Sequence, residues 1–141
     1  MKTQDILQVK GTQVHKISPK ATLDQVVQTL VVHNCGSLLV MDGPQLCGIV
    51  TERDILRTVA GDDRELKDIL VTEKMSADVV TTSAQDELGN VMSVLTEKRI
   101  RHLPVITDGD VAGVISIGDV VKAQQKSLAK ENEFLRNYIH G

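Results

Sequence analysis

Two stretches of the chain place a hydroxyl and a carboxylate three residues apart behind a glycine. They are Gly48-Ile49-Val50-Thr51-Glu52-Arg53-Asp54 and Gly113-Val114-Ile115-Ser116-Ile117-Gly118-Asp119. Each reads as a strand running into a helix, with Thr51 or Ser116 at the N-cap. The free backbone N–H groups of such a helix start attract anions, so a phosphate can sit there and accept from the hydroxyl. Asp54 or Asp119 can accept from both hydroxyls of a ribose, the role acidic residues take in dinucleotide folds on unrelated scaffolds. The same spacing also makes a capping box. The two uses are compatible, because a cap engages one or two of the four free donors at a helix start. The recurring Gly48 and Gly113 mark a point where the backbone can be approached closely.

Other candidate chemistry is thin. His33-Asn34-Cys35 lies outside any C-x₂-C or H-x₃-H spacing, so no metal is expected. No nucleophile elbow accompanies the scattered Ser, His and acidic residues, so the chain does not read as an enzyme. Cys35 and Cys47 lie in apolar stretches and read as reduced core thiols, which together with the start MKTQDILQVKG, lacking an apolar signal region, points to the cytoplasm. The net charge of −3 leaves no basic footprint for nucleic acid. Aromatic content is 1%: Phe134 and Tyr138 are the only aromatics besides histidine, and base stacking is thereby excluded. No apolar run is long enough to span a membrane. The charge runs at 62–68 and 130–136 read as solvated faces.

The two motifs belong to a larger repeat. A single ungapped offset that lays 14–54 over 79–119 aligns nine identities, among them Leu23/Leu88, Val26/Val91, Leu38/Leu103, Gly48/Gly113 and Asp54/Asp119. Leu23, Val26, Val27, Leu30 and Val31 form the apolar stripe of a helix opened by a Thr22/Gln25 capping box, and Leu88, Val91, Met92 and Leu95 repeat it. Short apolar runs at 37–41 and 102–106 lead through turns at 42–45 and 107–110 into strands 46–50 and 111–115. Short strands near 14–17 and 79–82 precede each helix, and Thr51 or Ser116 opens another. The order is β-α-β-β-α, twice. The fold class is α/β (α+β): two pseudo-symmetric repeats packed through their small sheets, with a C-terminal helix. Asp68-Ile69-Leu70 echoes Asp5-Ile6-Leu7, which gives each repeat a short helical lead-in. The expected boundaries are 1–62, 63–127 and a helical tail at 128–141, with a linker over Ala60–Thr72. The stretch Val120–Ile139 reads as one long helix that packs either on its own module or across a dimer or partner.

The motif pair, the GSLLV run at 36–40 and Arg101-His102-Leu103-Pro104-Val105 resemble a tandem cystathionine-β-synthase-type (CBS) domain pair, or Bateman module. The opening Asp5-Ile6-Leu7…Lys10-Gly11…Val14 is similar to stand-alone bacterial members, and the resemblance covers about residues 3–125. It implies a sensor of adenosine ligands (AMP, ADP, ATP, NAD(H) or S-adenosylmethionine) and a homodimer, head-to-head or head-to-tail. It implies two clefts between the repeats. In one, Ser116 meets phosphate and Asp119 the ribose; in the other, Thr51 and Asp54 do so. Arg101 and His102 take positions from which basic members reach phosphates, or are solvated strand-edge residues; their counterparts Gly36 and Ser37 carry no charge. Adenine is expected against the segments Lys10–Ile17 and Cys35–Ser37, with Ile115 also among the ligand-facing residues. Lys10 and His15 are further phosphate candidates, and Arg53, replaced by Gly118 in the second repeat, reaches over the other cleft or across a dimer. The alternative function is a ligand-free dimerisation scaffold acting through an unidentified partner protein.

Overall fold

A computed structural model describes the backbone through His140 and side chains through Ile139. The elements follow the order α1 (Thr3–Lys10), β1 (Lys16–Ile17), α2 (Leu23–His33), β2 (Ser37–Asp42), β3 (Gln45–Thr51), α3 (Glu52–Gly61), a 3₁₀ turn (Leu66–Asp68), α4 (Val71–Lys74), β4 (Thr82–Ser83), α5 (Leu88–Lys98), β5 (His102–Thr107), β6 (Asp110–Ser116) and α6 (Ile117–His140). Two three-stranded sheets result, ordered β1-β2-β3 and β4-β5-β6. The first strand of each is parallel to the second, and β2 and β3 form an antiparallel hairpin. The β5–β6 turn places both Asp108 and Gly109 at positive φ, the geometry that lets a two-residue hairpin follow strand twist.

The chain divides into two compact units. Unit 1 comprises Met1–Thr12, Thr81–Thr107 and the chain from Ala112 onward; unit 2 comprises Gln13–Val80 and Asp108–Val111. Helix α1 thus joins the elements of the second repeat, while α4 joins those of the first. In unit 1 the Thr3 N–H donates to Asp86 O at 2.9 Å and the Leu88 N–H to Met1 O at 3.1 Å. In unit 2 the Val71 N–H donates to Ala21 O at 2.9 Å and the Leu23 N–H to Ile69 O at 2.9 Å. The acceptors Ala21 and Asp86 keep the offset of the repeat, but the donors Thr3 and Val71 are spaced more widely than that offset. The Asp5-Ile6-Leu7 echo is therefore a false register: Asp68 ends the 3₁₀ turn, Ile69 and Leu70 lead into α4, and Thr3 corresponds to Val71.

The core is aliphatic. In unit 2, Leu23, Val26, Leu38, Val40, Val50, Ile69 and Val71 are fully buried. In unit 1, Val91, Leu95, Leu103, Val105, Ile115 and Val120 take the same part. The Thr22/Gln25 capping box forms in both directions. The stripe of α2 is narrower than its periodicity suggests: Val31 and its neighbour Val32 are exposed. The expected linker is structured. Helix α3 runs to Gly61, and Arg64 pairs with Asp62 at 2.9 Å and Glu73 at 3.1 Å, while Lys74 pairs with Asp62 at 3.2 Å. The hydrogen-bonded Arg64 guanidinium, helped by its backbone N–H and Lys74, holds the Asp62 carboxyl far below the usual carboxylate range. The charge run at 62–68 is thus in part an ion-pair network. Strand β4 begins at Thr82, later than expected, where the Asp86 carboxylate accepts from the Ser83 N–H at 2.8 Å and the Thr82 hydroxyl at 2.6 Å. Helix α6 is continuous from the second motif and packs on α1 and α5. Its last turns do not pack on their own module: Leu128, Phe134, Leu135, Tyr138 and Ile139 are all exposed.

Candidate functional site

Each motif forms as a strand entering a helix, β3 into α3 and β6 into α6. Thr51 is the N-cap of α3, and its hydroxyl accepts from the Asp54 N–H at 3.4 Å. Asp54 Oδ2 accepts from the Thr51 N–H at 2.9 Å and from its hydroxyl at 3.2 Å. In unit 1 the Asp119 N–H donates to Ser116 Oγ at 3.1 Å, and Asp119 Oδ2 accepts from the Ser116 N–H at 2.8 Å. Both carboxylates are pinned at the helix start by the reciprocal cap. A carboxylate held by two or three such donors is pre-oriented, which lowers the entropy cost of presenting it to a sugar hydroxyl.

The segment before the second strand reaches the same place in each unit. The Glu52 N–H donates to Gly36 O at 3.0 Å, and the Ile117 N–H donates to Arg101 O at 2.9 Å. Gly36 and Arg101 thereby meet the motif through the backbone. Ser37 pairs with Thr51 in the hairpin. Arg101 is exposed, as is Arg53; His102 and Ser37 are half-buried, and the Ile115 side chain is fully buried in the core of unit 1.

Other candidates sit differently. The His15 and His33 rings stack in unit 2 with centroids 4.4 Å apart, a contact between the segment before β1 and the end of α2 that has no signal in their spacing. His15 O also accepts from the Leu39 N–H at 3.0 Å, and Ile17 pairs with Val40 in the sheet. Cys35 donates to Ser37 O at 3.5 Å, and burial pushes its thiol pKa up. Both cysteines are free and half-buried, packed against the core of unit 2. An open depression of about 620 Å³ beside β1 and α2 is lined by Ser18, Lys20, Gln25, Thr29 and His33, with Ile17 the one site candidate on its wall. Among the described residues no group of His, Cys, Asp and Glu could hold a metal ion, and no helix is long and apolar enough to cross a membrane.

Both glycines are approached closely, by other segments of the chain. A Cβ on Gly48 would stand 2.5 Å from Met75 Sδ and 2.8 Å from Ser76 O; one on Gly113 would stand 2.8 Å from Leu7 Cδ2. Close approach there is taken by the lead-in segments. Leu7 and Met75 stand in the same register as Thr3 and Val71.

Lys10 is the largest surprise. Its Nζ donates to Asp119 Oδ2 at 2.6 Å and to Val114 O at 2.7 Å. Burial pushes the Asp119 pKa up, but the Lys10 ammonium and the Ser116 donors outweigh it and hold the carboxyl below its usual range. A partner 109 residues away has no local signal; only the docking of α1 in unit 1 brings the two together.

Comparison with known proteins places this geometry. The CBS domain family matches residues 6–61 and 66–126. The CBS domain-containing protein CBSX3, mitochondrial, of Arabidopsis thaliana is 37% identical over 125 residues, which span 85% of this chain and 61% of that protein. The CBS domain-containing protein YhcV of Bacillus subtilis is 30% identical over 131 residues, 92% of this chain and 91% of that one. The crystal structure of the CBS-domain containing protein ATU1752 from Agrobacterium tumefaciens superposes with a TM-score of 0.85 at 35% identity, covering 88% of this chain and 99% of that one. Two structures at lower identity share the fold. CBS domain protein PAE2072 from Pyrobaculum aerophilum, complexed with AMP, has a TM-score of 0.76 at 24% identity, covering 84% of this chain and 89% of that one. The CBS domain pair of protein MJ0100, in complex with 5-methylthioadenosine and S-adenosyl-L-methionine, has a TM-score of 0.75 at 21% identity, covering 90% and 98%. With both repeats matched and the fold shared, the chain belongs to the CBS-domain family, as a tandem pair.

Proposed function

We propose that the chain is a non-catalytic regulatory module whose two motif turns each read the sugar end of an adenosine-containing ligand: AMP, ADP, ATP or NAD(H). The observation that carries this reading is the twofold pinning of a carboxylate at a helix start, Asp54 at 2.9 Å and Asp119 at 2.8 Å from the N–H of their own N-cap. Helix N-termini favour an anion beside it. The ligands held by PAE2072 and MJ0100 support the adenosine class without selecting a member. Thr51 and Asp54 act in unit 2; Ser116 and Asp119 act in unit 1, with Arg101 and His102 on the neighbouring segment as phosphate partners.

A homodimer belongs to the same reading. Leu56 and Val59 on α3, and Val121 and Leu128 on α6, leave apolar surface exposed. Sedimentation at several concentrations checks it, a monomer at all of them being the contrary result. The free thiols Cys35 and Cys47 suit a reducing compartment such as the cytoplasm.

Equilibrium binding of AMP, ATP, NADH and S-adenosylmethionine to the full chain tests the ligand reading. Binding is expected in the micromolar range, weakened about tenfold or more by Asp119→Ala or Asp54→Ala, the loss of a charge-assisted hydrogen bond. No binding of any of the four, with the variants indistinguishable from wild type, overturns it in favour of a ligand-free scaffold.

A further inference from the structure

The two half-sites differ in what already occupies the carboxylate. In unit 1, Lys10 holds Asp119 at 2.6 Å with 37% and 22% of the two side chains exposed. The pair is open enough for a ligand to reach and close enough that Asp119 is already matched with a cation. A sugar hydroxyl approaching Asp119 competes with an ammonium, and a neutral ligand that wins leaves that ammonium with less than it had. A ligand carrying phosphate offers it a replacement anion, and the flexible lysine stem can follow the phosphate.

Unit 2 is built otherwise. Ile49, the counterpart of Val114, has its carbonyl taken by the Ser76 N–H at 2.9 Å, and the Ile49 N–H donates to Ser76 O at 3.0 Å. In the register that matches Leu7 with Met75, the counterpart of Lys10 is Asp78. Asp54 accepts from the Thr51 N–H and hydroxyl, neither of which is a charged partner.

We propose that Lys10 is a selectivity residue that releases Asp119 to a phosphate-bearing nucleoside and withholds it from an uncharged one, so that unit 1 prefers anionic ligands where unit 2 makes no such demand. The proposal rests on the adenosine reading above and names the ligand class for one of its two half-sites.

Calorimetric titration of the full chain with adenosine and with AMP tests it, in an Asp54→Ala background that silences unit 2. AMP is expected to bind about tenfold or more tightly than adenosine, the worth of one charge-assisted contact. Lys10→Met should bring the two affinities together by raising that of adenosine and lowering that of AMP. Lys10→Arg should keep a preference. Rising salt should erode the preference in the Lys10 protein itself, a readout that needs no foldable variant. Equal affinities with Lys10 in place, a ratio unmoved by salt, or a Lys10→Met protein with an unchanged ratio each overturn the proposal. Failure of both ligands to bind even the chain with Asp54 intact overturns the adenosine reading instead.

Discussion

Ile49 in unit 2 and Val114 in unit 1 stand at the same point of the repeat, one strand residue past the glycine, and both have their carbonyls filled. In unit 2 the donor is a backbone N–H, that of Ser76. In unit 1 it is the Lys10 ammonium. The cause lies upstream. Helix α4 stops at Lys74, and the chain after it extends alongside β3, whereas α1 continues helically to Lys10 and covers the strand with a side chain. A backbone donor stays in place; a lysine can be drawn away by a better anion. One fold slot thus becomes a fixed strut in one copy and an exchangeable contact in the other.

The largest effects should obey the symmetry. Leu38 and Leu103 are equivalent and fully buried, so Leu38→Ala and Leu103→Ala should each cost about 2–5 kcal/mol in urea unfolding. A wide gap between them would mean that one unit relaxes around a cavity that the other cannot close. The next effect should break the symmetry. Gly48→Ala drives a Cβ against the Ser76 backbone oxygen, while Gly113→Ala meets the movable end of Leu7. The first should cost about 1–3 kcal/mol and the second clearly less, by thermal melting. Equal costs would show that α1 is as rigid as the bridged strand edge.

The smallest effect concerns pH. Asp86, whose unit 2 counterpart is Ala21, is held below its ordinary 3.8 by the Ser83 N–H and the Thr82 hydroxyl. A lowered folded-state pKa contributes stability above the unfolded value and loses it as pH falls through the folded one. Stability carried by Asp86 is therefore present above about pH 4 and drains below it. Asp86→Asn should flatten the acid side of the melting-temperature profile, and an unchanged slope would assign the acid sensitivity to other carboxylates.

The repeat was legible because its signals are local. Periods of 3.6 and 2, a Thr-x-x-Gln cap and a fixed offset read out α2, α5 and both hairpins, and the Thr51/Asp54 and Ser116/Asp119 turns formed where the spacing placed them. Lead-in register was not legible. Extra chain before α4 lengthens the offset from that of Ala21 and Asp86 to that of Thr3 and Val71, and the shared Asp-Ile-Leu tripeptide points to the wrong partner. The family resemblance offers Lys10 only as a candidate for a ligand phosphate, and no local pattern shows its contact with Asp119, which spans 109 residues. The glycines signal a close approach to the backbone, but sequence shows only the missing side chain and not that Met75, Ser76 and Leu7 fill the space.

The exchange of lead-ins bears on how the chain is made. Unit 2 draws all but its last four residues from one continuous segment, Gln13–Val80. Unit 1 needs both ends: Thr3 must find Asp86, 83 residues further on. Helix α1 is made before the unit 1 elements it packs on and is thus among the last to dock, and Ile6 and Leu7, buried in the finished protein, stay uncovered until those elements are synthesised. Closing so long a span carries a larger entropic cost than the local pairings of unit 2. Folding should run from the middle of the chain outward, and the Lys10–Asp119 contact should form among the last.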